Sequence, residues 1–207
     1  MLSNMLSNLD YQIFHLINEQ ANSFSVLNGL MRFFAEDAQY VFALALLLYW
    51  FSRNKLNRKM VISAVVSVCL GMGISFIIGH LVYRDRPFVT HAVIQLIKHP
   101  ANASFPSDHA IGAFALAATF WLYGKRFRLL WLAAALLIGF SRIWTGVHYP
   151  SDIAAGALIG TLSAVSTRYL LLRFKHPRKL VNSCLNLYEK MEHKIWNRSN
   201  KPQADDA

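Results

Sequence analysis

Long apolar runs separated by short polar segments dominate this chain of 207 residues. A helix that crosses a lipid bilayer needs about 20 mostly apolar residues, and five runs reach or approach that length. We predict spans at 37–52, 60–83, 107–123, 128–145 and 152–174. The fifth run contains AAGALIGTLSA, whose small residues favour close helix packing. The pattern predicts an all-α fold, a polytopic membrane helical bundle with five to six spans.

The segment before the first span has a different pattern. Within residues 1–35, LDYQIFHLIN and FSVLNGLMRFF are amphipathic but short. We expect interfacial or re-entrant helices there, and the alternative is that the two stretches together make a sixth crossing. Residues 1–174 are assigned to a single integral membrane domain. Residues 175–207 are assigned to a basic cytoplasmic tail that lies against anionic lipid.

Composition and charge narrow the class of protein. Hydrophobic residues make up 55% of the chain and charged residues 15%, whereas an average soluble domain is about 25% charged. The net charge of +10 would by itself suit a nucleic-acid-binding protein. The basic residues, however, form short clusters between the apolar runs and in the tail, as in the loops of membrane proteins. We therefore expect a membrane lipid as partner and no nucleic acid; the oligomeric state stays open.

The basic clusters also predict the orientation in the membrane. RNKLNRK at 53–59, KRFR at 125–128 and RFKHPRK at 173–179 all fall on one side of a five-span bundle. Short loops rich in Lys and Arg face the cytoplasm. The segments 84–106 and 142–151 then lie together on the opposite, extracytoplasmic face. The most unusual polar groups of the chain occur in those two segments.

One of these segments, SRIWTGVHYPSD at 141–152, pairs a histidine with a carboxylate. Pro150 suits the first turn of a helix, so Asp152 falls within that turn and His148 just before it. The carboxylate can accept a hydrogen bond from one ring nitrogen of His148 and leave the other nitrogen as an electron-pair donor. The alternative is a helix-capping aspartate beside an interfacial histidine.

The stretches FPSDHA and RDRP add groups that bind anions. Ser107 is expected to cap the helix that follows, whose free N–H groups then form an anion site near His109. Arg86 carries a planar fork that matches phosphate oxygens. Arg142 follows an apolar run, where an unpaired arginine is expensive. An ordinary capped helix and an arginine at lipid headgroups are the alternatives for the first two features.

Taken together, these groups suit phosphoryl transfer. The arginines and the helix N–H groups would neutralise phosphate charge. His148 would attack phosphorus, oriented by Asp152, while His109 would protonate the leaving oxygen and later take a proton from water. No cluster of carboxylates for a divalent metal is present in the sequence, so we expect no metal and no cofactor.

The same residues resemble those of a known family. The type 2 phosphatidic acid phosphatase superfamily has the motifs Lys-x6-Arg-Pro, Pro-Ser-Gly-His and Ser-Arg-x5-His-x3-Asp. The third motif is complete here, and the first and second appear in part. The first is present as Arg86 and Pro87. The second is present as Pro106, Ser107, Asp108 and His109, and the third as Ser141, Arg142, His148 and Asp152. The resemblance implies a membrane lipid phosphatase with catalytic His148, His109 and Asp152. It implies substrate binding by Arg86, Ser107, Asp108 and Arg142.

Two positions depart from the family pattern. The family lysine would fall at Gly79, and either Arg84 or His80 is a candidate to replace it. Asp108 stands in place of the glycine of the second motif. Because of this aspartate, we expect the backbone N–H of residue 108, rather than its side chain, to bind phosphate. Arg84 is also expected to contact a second phosphate of the substrate.

Within the superfamily, the variant Pro-Ser-Asp-His with RPF, SRIW and HYP is most similar to the bacitracin-resistance type of undecaprenyl-diphosphate phosphatase. That resemblance implies hydrolysis of undecaprenyl diphosphate to the monophosphate on the outer face of the bacterial plasma membrane. The product would re-enter peptidoglycan synthesis as carrier lipid, and bacitracin sensitivity would fall. The alternatives are a phosphatidylglycerophosphate or phosphatidic acid phosphatase and a non-enzymatic protein that binds or translocates phospholipid.

Overall fold

The computed structural model describes residues 2–199, so Met1 and residues 200–207 of the predicted tail lie outside the described part of the chain. The described residues form helices and no strand, which confirms the all-α prediction. The α-helices are α1 (Leu2–Asn18), α2 (Gln20–Ser23), α3 (Asn28–Glu36), α4 (Ala38–Phe51), α5 (Lys55–Leu81), α6 (Pro87–Thr90), α7 (Asp108–Leu122), α8 (Arg128–Trp144), α9 (Pro150–Arg173) and α10 (Lys175–Ser199). A 3-10 turn at Ser25–Leu27 links α2 to α3.

Each of the five predicted spans corresponds to one helix: α4, α5, α7, α8 or α9. Helices α5 and α9 have 27 and 24 residues and are long and apolar enough to cross a membrane. Helices α4, α7 and α8 are shorter, with 14, 15 and 17 residues. Large apolar side chains remain exposed on the outer faces of the long helices, as expected where a bundle contacts lipid; they include Val65, Leu70, Phe76, Ile77, Leu158, Leu162, Val165 and Tyr169.

Helix α7 lies at the centre of the bundle. Its buried residues fall on more than one face and are mostly small, namely Ala110, Ile111, Ala113, Ala115, Ala117, Thr119 and Phe120. Helix α9 packs directly on it through glycine: a Cβ atom at Gly160 would lie 2.3 Å from the carbonyl oxygen of Ile111. The small residues predicted to allow close packing in the fifth span therefore do so. This contact brings the starts of α7 and α9 together.

The basic loops gather at one end of the bundle. Lys125, between α7 and α8, hydrogen-bonds the side chain of Asn57 at the start of α5. The Arg168 guanidinium lies 4.2 Å from the ring centre of Tyr123. The segments 82–107 and 145–149 lie at the other end, so the structure groups the loops as the charge pattern predicts. The side of the membrane that each end faces stays a prediction.

Helices α1 to α3 pack against the end that carries segments 82–107 and 145–149. The side-chain amide of Asn18 donates to the carbonyl oxygens of Ile94 and Trp144 at 2.9 and 2.8 Å. The indole N–H of Trp144 donates to Asn28 at 2.9 Å. These contacts agree with interfacial helices in residues 1–35, whose position relative to lipid stays a prediction.

Helix α10, the described part of the predicted tail, packs against the basic end. Arg58 of α5 is fully buried there, with ion pairs of 2.7 Å to Glu192 and 3.6 Å to Glu189. The tail is therefore not only a basic segment, because its acidic residues hold it against α5. The sequence pattern did not predict this contact.

Candidate active site

A tight turn after α8 fixes the position of His148. Gly146 has a φ of 83°, in the left-handed region that favours glycine. A Cβ atom at this residue would also lie 2.7 Å from the carbonyl oxygen of Ile94. The backbone N–H groups of Val147 and His148 then both donate to the carbonyl oxygen of Arg142, at 3.1 and 3.3 Å. The turn buries the His148 side chain at the start of α9.

Asp152 faces one nitrogen of the His148 ring, as the spacing predicts. The distance from His148 Nδ1 to Asp152 Oδ2 is 3.4 Å. Asp152 lies in the first turn of α9, and its Oδ2 accepts the backbone N–H of Tyr149 at 2.8 Å. The same carboxylate therefore caps the helix and contacts His148, so capping does not exclude the predicted pair.

Arg86 faces the other ring nitrogen and defines the tautomer of His148. Arg86 Nη1 lies 3.0 Å from His148 Nε2 and 3.0 Å from the carbonyl oxygen of Val147. Arginine can only donate, so Nε2 must be the acceptor and Nδ1 must carry the proton in the neutral ring. The remaining donors of Arg86 bind Asn102 Oδ1 at 3.0 Å and the carbonyl oxygen of Ala103 at 3.1 Å. His148 thus presents an electron pair next to a fixed positive charge.

The surroundings keep this ring neutral. Burial lowers the pKa of His148 to about 4, and the positive charges of Arg86 and Arg142 act in the same direction. The hydrogen bond with Asp152 opposes the decrease in pKa but does not outweigh burial. At neutral pH, Nε2 is therefore unprotonated and able to act as a nucleophile.

Ser104 completes the contacts of Asp152, and sequence reasoning missed it. The buried hydroxyl of Ser104 donates to Asp152 Oδ2 at 2.5 Å and lies 3.4 Å from His148 Nδ1. Its backbone N–H donates to the carbonyl oxygen of Arg84 at 2.8 Å. The only available signal was its position three residues before Ser107, outside the motif.

The start of α7 is tied to the start of α9 through Ser107. Its hydroxyl accepts the N–H of Ala110 at 3.5 Å, so the predicted cap is confirmed, and its own N–H donates to the carbonyl oxygen of Asp152 at 3.1 Å. His109 lies in the first turn of α7. The hydrogen bond from Ser107 to Asp152 holds that turn against the first turn of α9, which follows His148. The structure therefore brings both predicted histidines to one site.

His109 and Asp108 line a cavity of about 250 Å³ that extends along the bundle. The other residues around it are mostly apolar: Phe34, Gln39, Phe42, Val68, Met72, Gly112, Ala113, Leu116 and Ile138. Asp108 also borders a second cavity of about 540 Å³, which Gly79 and His80 line as well. The carboxylate of Asp108 accepts the hydroxyl of Ser75 at 2.6 Å. Asp108 thus stands at the junction of two cavities next to His109.

Arg142 has charged donors that lack an acceptor among the described residues. Its side chain is fully buried, and Nη1 donates to the carbonyl oxygen of Ala35 at 2.7 Å. Its Nε and Nη2 atoms have no hydrogen-bond partner among the described residues. Buried charged donors without acceptors are costly. A phosphate group bound beside His148 would provide the missing acceptors.

Arg84 and His80 both have protein partners in the structure. Arg84 binds two carboxylates, with Nη2 2.7 Å from Asp10 Oδ2 and Nη1 3.0 Å from Asp152 Oδ1. It therefore contacts the Asp152 oxygen that does not face His148, and its predicted contact with a second phosphate stays a prediction. The His80 ring is exposed, with Nδ1 2.7 Å from the carbonyl oxygen of Phe76. The group that takes the place of the lysine missing at Gly79 stays a prediction.

A third histidine, which sequence reasoning also missed, borders the site. The ring centres of His99 and His148 are 6.2 Å apart. His99 Nδ1 lies 3.1 Å from the carbonyl oxygen of Pro100. Within the described residues, no group of three or more His, Cys, Asp or Glu side chains is arranged to hold a metal ion.

Comparison with known proteins adds independent findings. Residues 60–175 match the model of the PAP2 superfamily. The chain is 41% identical to the bacitracin transport permease protein BcrC of Bacillus licheniformis, over 94% of this chain and 95% of the relative. It is 35% identical to the undecaprenyl-diphosphatase BcrC of Bacillus subtilis (strain 168), over 90% and 95% of the two chains.

Solved structures agree in fold. The crystal structure of Aquifex aeolicus LpxE superposes with a TM-score of 0.66 and 26% identity, covering 77% of this chain and 94% of that one. A PAP2 type phosphatidylglycerolphosphate phosphatase from Bacillus subtilis superposes with a TM-score of 0.57 over 81% of this chain and 89% of that one. At 20% identity, the second likeness concerns the fold alone.

Proposed function

Because this chain belongs to the PAP2 superfamily, we propose that it is an integral membrane phosphatase that hydrolyses undecaprenyl diphosphate to undecaprenyl phosphate and inorganic phosphate. The single observation that carries the phosphatase chemistry is the pair of contacts on His148. Asp152 lies on the Nδ1 side, and Arg86 lies 3.0 Å from Nε2. A nucleophilic nitrogen is thereby oriented beside a phosphate-binding charge.

In the first step, the Nε2 electron pair of His148 attacks the terminal phosphorus. The bond between that phosphorus and the bridging oxygen breaks, and the lipid monophosphate leaves with the electron pair of the bond. His109, protonated at the start of the step, gives its proton to this oxygen as the bond breaks. Arg86 and the unpaired donors of Arg142 neutralise charge on the transferred group, and Asp152 stabilises the positive charge that develops on the His148 ring.

In the second step, a water molecule displaces His148 from phosphorus. His109 takes a proton from that water, and the P–N bond breaks to release inorganic phosphate and the neutral His148 ring. The ring keeps its Nδ1 proton throughout, because this N–H donates a hydrogen bond to the Asp152 carboxylate. Each turnover therefore consumes one water and returns all side chains to their starting protonation.

The substrate assignment draws on the relatives and on the resemblance of the motifs. The Bacillus subtilis relative is an undecaprenyl-diphosphatase, and the match extends over nearly all of both chains. The apolar cavity beside His109 supports a lipid substrate. We place the active site on the extracytoplasmic face, where hydrolysis would recycle the cell-wall carrier lipid and confer bacitracin resistance.

The test is a side-by-side kinetic comparison with purified protein in detergent. We expect undecaprenyl diphosphate to be cleaved with a much higher kcat/KM than phosphatidylglycerophosphate or phosphatidic acid. A faster reaction with a glycerophospholipid, with the diphosphate barely cleaved, would contradict the substrate assignment and leave the phosphatase chemistry intact. Release of no phosphate from any of these lipids would contradict both.

A further inference from the structure

Asp10 of α1 contacts the active-site region although no motif contains it. Its Oδ1 accepts the backbone N–H of Ser151 at 2.9 Å, and its Oδ2 accepts the Ser151 hydroxyl at 2.5 Å. Oδ2 also accepts Arg84 Nη2 at 2.7 Å. The Asp10 side chain is only 11% exposed. One carboxylate therefore binds both the first turn of α9 and a guanidinium group.

Arg84 extends this contact to Asp152. Its Nη1 donates to Asp152 Oδ1 at 3.0 Å and to the Ser151 hydroxyl at 2.7 Å. Its guanidinium carbon lies 3.8 Å from the ring centre of Tyr149, which fixes the plane of the group. Asp10, Arg84 and Asp152 thus form a chain of alternating charge that ends at the His148 ring.

We propose that Asp10 is a positioning residue, which acts through Arg84 to set the orientation and the charge environment of Asp152. Arg84 and His148 compete for the negative charge of one carboxylate. Asp10 gives Arg84 a second anion and so leaves more of the Asp152 charge available to the His148 ring. This role rests on the proposed function of His148 as the nucleophile.

The charge argument predicts opposite effects for two substitutions. Asp10→Asn removes the second anion, so Arg84 draws more strongly on Asp152 and protonated His148 is less stable: its pKa falls. Arg84→Gln removes the competing cation, so the pKa of His148 rises. The double variant loses both charges, and its His148 pKa returns close to that of the parent protein.

A purely structural role would give a different pattern. Loss of either side chain would loosen the start of α9 and let water reach His148. Hydration moves the pKa of a buried histidine upward, toward its ordinary value. Both single variants would then raise the pKa. The sign of the change in Asp10→Asn therefore separates the two roles.

The other groups around His148 are unchanged by these substitutions. One ring nitrogen contacts Arg86 and the other contacts Asp152 and Ser104. Further charged or titratable neighbours come from three other segments of the chain, and they are Arg142, His109 and His99. A shift of the His148 pKa thus reports on Asp10 and Arg84 against a constant background.

The experiment is an NMR titration of the histidine rings in detergent-solubilised protein. The resonance of His148 is assigned by its loss in His148→Gln. We expect the pKa to shift by about one unit or less, downward in Asp10→Asn and upward in Arg84→Gln. Ser151→Ala removes hydrogen bonds without removing charge, and Glu19→Gln removes an exposed carboxylate of the same region; neither should lower the pKa. An unchanged or raised pKa in Asp10→Asn would overturn the proposal.

A kinetic measurement with undecaprenyl diphosphate complements the titration. Asp10→Asn should lower kcat about 10-fold, a typical effect of losing a group that orients a functional one, with KM within about twofold. Asp10→Glu should recover part of the loss. A parent protein that fails to cleave this lipid would contradict the substrate assignment, and the titration would still decide the role of Asp10.

Discussion

At the residue scale, His148 is the most informative position of the chain. Its two ring nitrogens have different partners, a carboxylate on Nδ1 and a guanidinium on Nε2. This asymmetry assigns the proton to one side and the electron pair to the other. A capping aspartate beside an interfacial histidine would need only the first contact.

The first prediction is that His148 forms a covalent phosphoryl intermediate. His148→Ala should abolish turnover, because the proposed attacking electron pair is lost with the ring. Asp152→Asn should lower kcat by a factor of roughly 10²–10⁴, as for other carboxylates that orient a histidine. Rapid quenching with labelled substrate should trap an adduct that is stable in base and lost in acid. An acid-stable adduct, or one that persists in His148→Ala, would contradict this assignment.

A second prediction at this scale concerns metal ions. Arg86, Arg142 and the N-terminus of α7 can supply positive potential to the phosphate, so hydrolysis should continue in excess chelator. Vanadate, which resembles phosphate and can accept the His148 nitrogen, should inhibit. The comparison is between protein assayed in chelator and protein assayed with added magnesium. Activity that disappears in chelator and returns with magnesium would refute the prediction.

At the element scale, the contact between α7 and α9 positions the two histidines. His109 lies in α7 and His148 lies just before α9, so their separation depends on how closely those helices approach. Gly160 sets that distance because its backbone faces the carbonyl of Ile111 without a side chain between them. Ser107 and Asp152 then join the two helix starts through a backbone hydrogen bond of 3.1 Å.

This packing predicts a stability difference between two glycine substitutions. Gly160→Ala places a Cβ atom 2.3 Å from a carbonyl oxygen, so α9 must move. We expect the free energy of unfolding to fall by about 1–3 kcal/mol and the thermal unfolding temperature in detergent to fall with it. Gly73→Ala in α5 is the matched control, since no atom lies within 4 Å of its Cβ position. Equal unfolding temperatures for the two variants would contradict this prediction, because they would show that α7 and α9 can move apart without a loss of stability.

Sequence pattern predicted the helices far better than the contacts between distant residues. The apolar runs located α4, α5, α7, α8 and α9, because span length and hydropathy are local properties. The caps at Ser107 and Asp152 were also predictable, since proline and polar residues mark helix starts. Asp10 and Ser104 were not predictable. Their partners lie 141 and 48 residues away, and no local spacing encodes such a contact.

At the scale of the whole molecule, the basic loops and the candidate active site lie at opposite ends of the bundle. The basic loops contact one another and α10 at one end, while His148 and its partners lie at the other. A cell membrane location with several crossings fits this arrangement. The face on which hydrolysis takes place follows only from the Lys and Arg excess and has to be measured.

Cysteine labelling provides that measurement. Cys69 and Cys184 are first replaced. A single cysteine is then introduced, either as Ala101→Cys at the end that carries His148 or as His176→Cys at the end that carries the basic loops. Both positions are exposed. A thiol reagent that cannot cross membranes should label the first variant in intact cells and the second only after lysis. The reverse order would place the active site in the cytoplasm and exclude the proposed role in carrier recycling.

The bond between Asp10 and Ser151 also has a consequence for biosynthesis. The two residues are 141 positions apart, so Asp10 leaves the ribosome long before its partner is made. The arginines proposed to bind phosphate are synthesised before His148 and Asp152, the groups proposed to perform the chemistry. A nascent chain inserted only through α8 therefore has the arginines proposed to bind phosphate but lacks His148 and the start of α9. The contacts around Asp152 are complete only when the start of α9 meets the helix that was made first.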